Sequence, residues 1–331
     1  MEKKSIKIKL NFMKGLKLTK YLLLLTIAFV FQTKTNAQEA YLDPETMKWG
    51  LIDDNYDYII EPKYDKMFAP EEGFYIVVSN NKYGFINSLG KEILTPKYDE
   101  IYSPKDGFFV ISVGEKRGVV DSNGKEIVAP KYDDIYVYQE GVAIVVLNEK
   151  QGLINTTGKE ITAIKYDKIY GSKEGISMVV LNNKTGFVDS NGKEIVTLKY
   201  DDAFGFNNGV AIVGNNNKWG LINTKGKEIT LLKYDKIYGL EGDISQVTLN
   251  GKTGYLDITG KEVVPIKYDI IYAFEENYAP ASIGNKWGLI NRKGEVIIPF
   301  KYDSMTCFCG ERTDVELNGE TFSINIKGER I

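Results

Sequence analysis

Apolar and polar positions recur along this chain with a fixed step. From Val142 to Leu147 every residue is apolar and most are β-branched, which predicts a buried strand starting at Gly141. Asn148-Glu149-Lys150 is a polar turn, and Gly152-Leu153-Ile154-Asn155 a second short strand. Asn155-Thr156-Thr157-Gly158 is another turn, followed by Lys159-Glu160-Ile161-Thr162 as a third strand. Lys165 to Tyr170 alternates polar and apolar residues and predicts a fourth. No window carries the i, i+3, i+4 stripe of a capped helix, and two Gly-bearing turns per unit would break a helical pair.

The pattern returns every 34 residues. Lys-Tyr-Asp begins at Lys63, Lys97, Lys131, Lys165, Lys199, Lys233, Lys267 and Lys301. A Gly two residues after a Lys keeps the same step at Gly50, Gly84, Gly118, Gly152, Gly186, Gly220, Gly254 and Gly288. An unbroken period means one supersecondary unit stacked on copies of itself, not a cleft assembled once. The expected fold is therefore all-β, a tandem array of β-meanders in an open twisted superhelix or solenoid. The alternative is a small-bladed propeller. Blades usually take about 40 residues or more, and the C-terminal stretch reads as a degraded cap, so the open array is favoured. The expected organisation is a signal peptide over residues 1–37, eight repeats over 38–303 and a degenerate capping repeat over 304–331.

Three marks inside the unit carry a mechanism. Asp121-Ser122-Asn123-Gly124 and its counterparts place Asp or Asn first and Gly fourth, which suits an Asx turn closed by a positive-φ Gly. One Asx per turn falls short of the six to eight oxygens that Ca²⁺ takes. The Asp of Lys-Tyr-Asp is expected to accept from backbone N–H of the next turn, and the Tyr to bury its ring. Three residues after that Asp stands an aromatic: Phe68, Tyr102, Tyr136, Tyr170, Phe204, Tyr238 and Tyr272, with Thr306 in the last unit. We expect these seven to be buried as a core seam between units; exposed, they would suggest stacking on a glycan.

Lys48-Trp49-Gly50-Leu51-Ile52-Asp53, Lys218-Trp219-Gly220-Leu221-Ile222-Asn223 and Lys286-Trp287-Gly288-Leu289-Ile290-Asn291 resemble the WG (or KWG) repeat of bacterial proteins. The following Gly-Lys-Glu-Ile and Pro-Lys-Tyr-Asp segments, as at Pro96-Lys97-Tyr98-Asp99, are similar to the rest of that repeat. The chain departs from it at the Trp, which is Tyr83, Arg117, Gln151, Thr185 and Thr253 in the other units. The resemblance implies a β-rich, often exported repeat protein and no catalytic residues. Trp49, Trp219, Trp287 and Tyr83 are the candidate binding residues.

A longer period lies under the short one. The residue ending each Gly strand alternates Asp53, Asn87, Asp121, Asn155, Asp189, Asn223, Asp257, Asn291. Units ending Asp121, Asp189 and Asp257 should resemble one another more than those ending Asn155, Asn223 and Asn291. The difference is expected near the first turn, where Thr185 and Thr253 face Trp219 and Trp287 as alternatives, with a different residue packed opposite.

Composition narrows the function. Lys14, Lys17 and Lys20 precede an apolar run from Tyr21 to Phe31, and Thr35-Asn36-Ala37 offers small residues before Gln38. That is the pattern of a secretory signal peptide cleaved between Ala37 and Gln38, and the run is too short for the roughly 20 residues of a membrane span. Cleavage would leave 34 basic and 44 acidic residues, a net charge of −10, which suits neither nucleic acid nor an anionic membrane. The chain has no His, so Ser-His and Cys-His chemistry and His-ligated metals are excluded; no cofactor is expected. Cys307 and Cys309 could form a disulfide after export or lie reduced in the cap. The expected role is an exported, non-catalytic binding protein for a protein or polysaccharide partner, in the periplasm, at the cell surface or secreted. A structural envelope component is the alternative. A carboxylate-dependent glycosidase is the least favoured, with the off-pattern acids Asp243, Glu275 and Glu276 as its candidates.

Overall fold

The structure is a computed structural model that describes residues 38–331 except 103, 137, 308 and 309. The signal peptide with its Ala37–Gln38 cleavage point, and the Cys307–Cys309 pairing, thus lie outside the described residues or depend on one that does.

Nine small antiparallel sheets follow one another along the described chain, five of four strands and four of three. The second is representative: Lys66–Met67, Phe74–Ser79, Lys82–Asn87 and Glu92–Tyr98 pair in chain order as a meander. Strands pair only within their sheet, and elements in substantial contact are never more than two apart along the chain. The sheets do not close into a barrel; they form an open stack, as the unbroken period implies.

The continuous apolar runs have a simple cause. Val77 packs towards the preceding sheet, with Leu51 and Tyr64, while its neighbour Ile76 packs towards the following one, with Phe109 and Ile111. Both faces of the middle strands are covered, so alternation gives way to unbroken apolar sequence. The core is accordingly a series of eight interlayers rather than one centre, each built from two successive sheets.

In six of the eight units the Gly after Lys-x is required by a bulge. Tyr83 pairs with Tyr98 and Phe85 with Leu94, so Thr95-Pro96-Lys97 loops out over Gly84. A Cβ there would lie 2.2 Å from the Leu94 carbonyl oxygen and 2.7 Å from the Pro96 nitrogen. Only Gly admits that approach, and Pro is tolerated because the bulged residue need not donate.

Lys-Tyr-Asp is the joint between sheets. Its Tyr ends one sheet and its Asp precedes the next. Lys165 to Tyr170 is therefore not one strand: Tyr166 bridges Gln151 of its own sheet, while Lys168–Ile169 pairs with Ile176–Leu181 of the following one. All eight Asp carboxylates make the same two bonds. One oxygen takes a Lys from the hairpin before it, as Lys82 Nζ to Asp99 at 2.5 Å. The other accepts a backbone N–H from the hairpin after it, as Gly114 to Asp99 at 2.6 Å. The Tyr rings are buried, and four hydroxyls donate across the interlayer to a Glu of the next sheet, as Tyr132 to Glu160 at 2.7 Å. Burial pushes the Tyr98 hydroxyl up to about 12.

These joints should make the array acid-sensitive. The Lys side chain and then, in most joints, the backbone N–H hold each of the eight carboxyls below the usual aspartate value. A depressed native value contributes stability above the unfolded-state value of about 4 that disappears as the pH falls through the native one. The melting temperature should be flat from about pH 7 to 5 and drop steeply below about pH 4. A melting temperature unchanged down to about pH 3 would remove the joints from the account.

The Asx turns form as expected. Asp121 Oδ1 accepts from the Asn123 and Lys125 N–H groups, both at 2.9 Å, and Gly124 follows at φ 77°. From the second unit on, the turn Gly also lies against the preceding sheet, as Gly124 against Ile93, so the turn is an interlayer contact as well as a chain reversal. The ninth sheet is made of Ser304–Met305, Arg312–Leu317 and Glu320–Asn325, and Asn325 repeats the Asx turn.

The paired period has a structural trace, partly elsewhere than expected. In the sheets starting at Asp134 and Asp202 the last strand is broken. Thr162 and Thr230 stand there, and their hydroxyls accept from the Leu153 and Leu221 N–H groups at 2.8 and 2.9 Å. Val128, Val196 and Val264 occupy that place in the units ending Asp121, Asp189 and Asp257, whose strands are intact. The unit ending Asn291 has Ile298 and keeps its strand, so this difference follows the Thr and not the Asn.

Candidate functional site

The aromatic that follows each short strand is not buried. Met67 points into an interlayer, and strand alternation therefore turns Phe68 outward. Phe68, Tyr136, Tyr170, Phe204, Tyr238 and Tyr272 are between 41% and 55% exposed, and Tyr102 is half-buried. The expected core seam is instead a surface ladder with one rung per unit. The buried seam is made by the Tyr of Lys-Tyr-Asp, four residues earlier in the chain. Sequence reasoning gave both aromatics to the core because period alone does not say which side of a strand faces a neighbour.

The candidate binding residues support this ladder. Tyr83 stacks on Phe68, with centroids 6.3 Å apart and planes at 17°. Trp219 lies against Phe204 at 5.7 Å and Trp287 against Tyr272 at 4.8 Å. All three are half-buried, as is Trp49, which packs on the first interlayer. Where the Trp is replaced, a cation often takes over. Arg117 covers Tyr102 at 5.0 Å and is itself held by Asp134. Lys168 covers Tyr170 at 4.5 Å and Lys236 covers Tyr238 at 4.1 Å, while Thr185 and Thr253 are buried beneath.

The cross-strand residue opposite the Trp position varies along the array but does not follow the Asp/Asn alternation, since Val78 and Val146 stand in one set and Val180 in the other, and Ser282 in one and Ser112 in the other. Gly214 pairs with Trp219 and Ser282 with Trp287, against Val180 with Thr185 and Thr248 with Thr253. A Cβ on Gly214 would stand 2.9 Å from the Trp219 ring.

Between Phe68, Tyr83 and Tyr102 the ladder is recessed into a groove of about 370 Å³. Glu71 and Glu100 bring carboxylates to it, and the Tyr102 hydroxyl donates to Glu100 at 2.6 Å. Other loop acids have structural work. Glu72 accepts from the Asp106 and Gly107 N–H groups of the next unit, and Glu140 from those of Glu174 and Gly175. Of the off-pattern acids, Glu275 and Glu276 line a cavity of about 600 Å³ with Glu311, and Asp243 does not line it. Among the described residues no group of three or more His, Cys, Asp or Glu is placed to hold a metal ion, and no helix is long and apolar enough to cross a membrane.

The WG containing repeat matches the chain eight times, at residues 49–83, 83–116, 118–150, 152–184, 186–219, 219–252, 254–287 and 287–320. The chain belongs to the WG repeat family. Each WG match starts at or next to the Trp position, so it supplies the closing strands of one sheet and the opening strands of the next. The WG unit thus staples neighbouring sheets, and Lys-Tyr-Asp sits at the staple's bend. No curated protein matches the chain. Among solved structures it is similar to a eukaryotic initiation factor, at 11% identity and a TM-score of 0.34, covering 90% of this chain and 95% of that one. It is also similar to Kluyveromyces lactis Hsv2p, at 10% identity and 0.30, covering 67% and 90%. A third likeness is to PorZ, a surface component of the type-IX secretion system of Porphyromonas gingivalis, at 8% identity and 0.27, covering 86% and 49%. At TM-scores this low none of these bears on the role of the WG array.

Proposed function

We propose that this WG repeat chain is a non-catalytic binding protein that acts outside the cytoplasm and offers its aromatic ladder to a polymeric partner, a protein or a polysaccharide. The observation that carries this reading is the exposure of an aromatic at one position in successive units. A ring left in water at a single place is ordinary, but the same repeat position left exposed in six units is a recurring apolar feature that a folded monomer gains nothing by exposing. The conspicuous acids favour binding over catalysis as well, since all eight Lys-Tyr-Asp carboxylates are engaged in joints. Export rests on the sequence of residues 1–37, and the acidic balance of the rest argues against nucleic acid.

Envelope fraction from the source cells should deplete the wild-type protein from solution. A variant carrying Tyr170→Ala and Phe204→Ala should keep its melting curve, because both rings are exposed, and should bind about tenfold more weakly. Equal depletion of both proteins would remove the ladder from function. Glycan hydrolysis that disappears with Glu276→Gln would replace binding by catalysis at the Glu275, Glu276 and Glu311 cavity.

A further inference from the structure

We propose that the groove between Phe68, Tyr83 and Tyr102 holds a neutral pyranose unit of a polysaccharide. This assignment rests on the reading of the ladder as a binding surface and names its ligand class. At about 370 Å³ the groove falls in the size range of small-ligand sites. Its lining combines two chemistries. Phe68, Phe74, Tyr83 and Tyr102 supply ring surface, and Glu71 and Glu100 supply acceptors. A pyranose has the complementary pair. Its axial C–H bonds are weakly positive and settle on the negative face of an aromatic ring, while its hydroxyls donate to carboxylates.

The supports of the groove suit a stacking platform. Phe68 is 44% exposed yet fixed from beneath by the nearly parallel Tyr83 ring. Tyr102 is held from two sides, by Arg117 over its ring and by Glu100 on its hydroxyl. Preorganised rings lose little freedom on binding.

Charge separates the sugar from its competitors. A polyanion would meet Glu71 and Glu100 on a body that carries −10 over residues 38–331. An apolar side chain of a protein partner would cover the rings but strip water from two carboxylates without pairing them. A neutral sugar satisfies both halves of the lining.

The test is affinity electrophoresis of the protein, as processed by the cell, in native gels containing glucan, mannan, xylan or alginate. A Lys-rich peptide is followed by fluorescence anisotropy. At least one neutral polymer should retard the wild type. Phe68→Ala and Tyr102→Ala should each weaken that retardation about tenfold, and Leu231→Ala, an exposed apolar residue off the ladder, by less than about twofold. Melting curves of the variants verify that they fold. If no neutral polymer retards the protein, or if Phe68→Ala leaves retardation unchanged, the sugar assignment is overturned. If alginate or the peptide binds and Phe68→Ala abolishes it, the ladder remains a binding surface and only the sugar falls. If neither these probes nor the envelope fraction respond to ladder substitutions, both readings fall together.

Discussion

Gly192→Val should lower the stability of the array by about 3 kcal/mol, the sum of two separate penalties. Gly192 closes the Asx turn after Asp189 at φ 78°, a region a β-branched residue adopts only under strain. Its position also matters. A Cβ there would lie 1.9 Å from the Ile161 carbonyl oxygen of the preceding unit, so the turn must lift off its neighbour. Gly175→Val separates the two effects. Gly175 has φ 72° with nothing within 4 Å of its Cβ position, so only the conformational part should appear, about 1–2 kcal/mol. Denaturant midpoints of the two variants measure the difference. Equal shifts would show that the turn does not rest on the preceding sheet.

Phe187→Ala should cost about 3–5 kcal/mol and change the form of unfolding as well as its midpoint. Phe187 is fully buried between the sheet starting at Lys168 and the one starting at Asp202, with Phe206 5.1 Å away. The interlayers lie in series, and each carries the apolar contact between its two sheets, beside the hydrogen bonds of the joint. A cavity in this one weakens a coupling that the exposed joint bonds at Asp201 are too weak to replace, so the two flanks should melt as separate transitions. Calorimetry would show one peak becoming two. A single transition at the wild-type midpoint would mean that coupling does not run through the interlayers.

Both expectations draw on features that differ in how far they could be read from the chain. Strand order, the Asx turns and the stacked architecture were legible, because turn chemistry and a two-residue alternation are local and the 34-residue step repeats them eight times over. The joint role of Lys-Tyr-Asp was half legible. The Asp bond to the next hairpin could be anticipated, but the assignment of Lys165 to Tyr170 to a single strand was not correct, since a chain leaving one sheet for another keeps its alternation across the bend.

The candidate site was the least legible part. Its Trp and Tyr members were singled out by type, yet the rungs they support were assigned to the core. By itself the sequence determined that this is a tandem β array with Gly held by turns and close approaches. Only the tertiary structure decided which aromatic of each unit is core and which is surface. The reason is physical: Tyr98 and Tyr102 are equally apolar and equally periodic, and what separates them is whether a neighbouring sheet lies on the side to which the strand turns each ring. The same holds for Gly192, whose turn requirement is local while its contact with Ile161 exists only once the units stack.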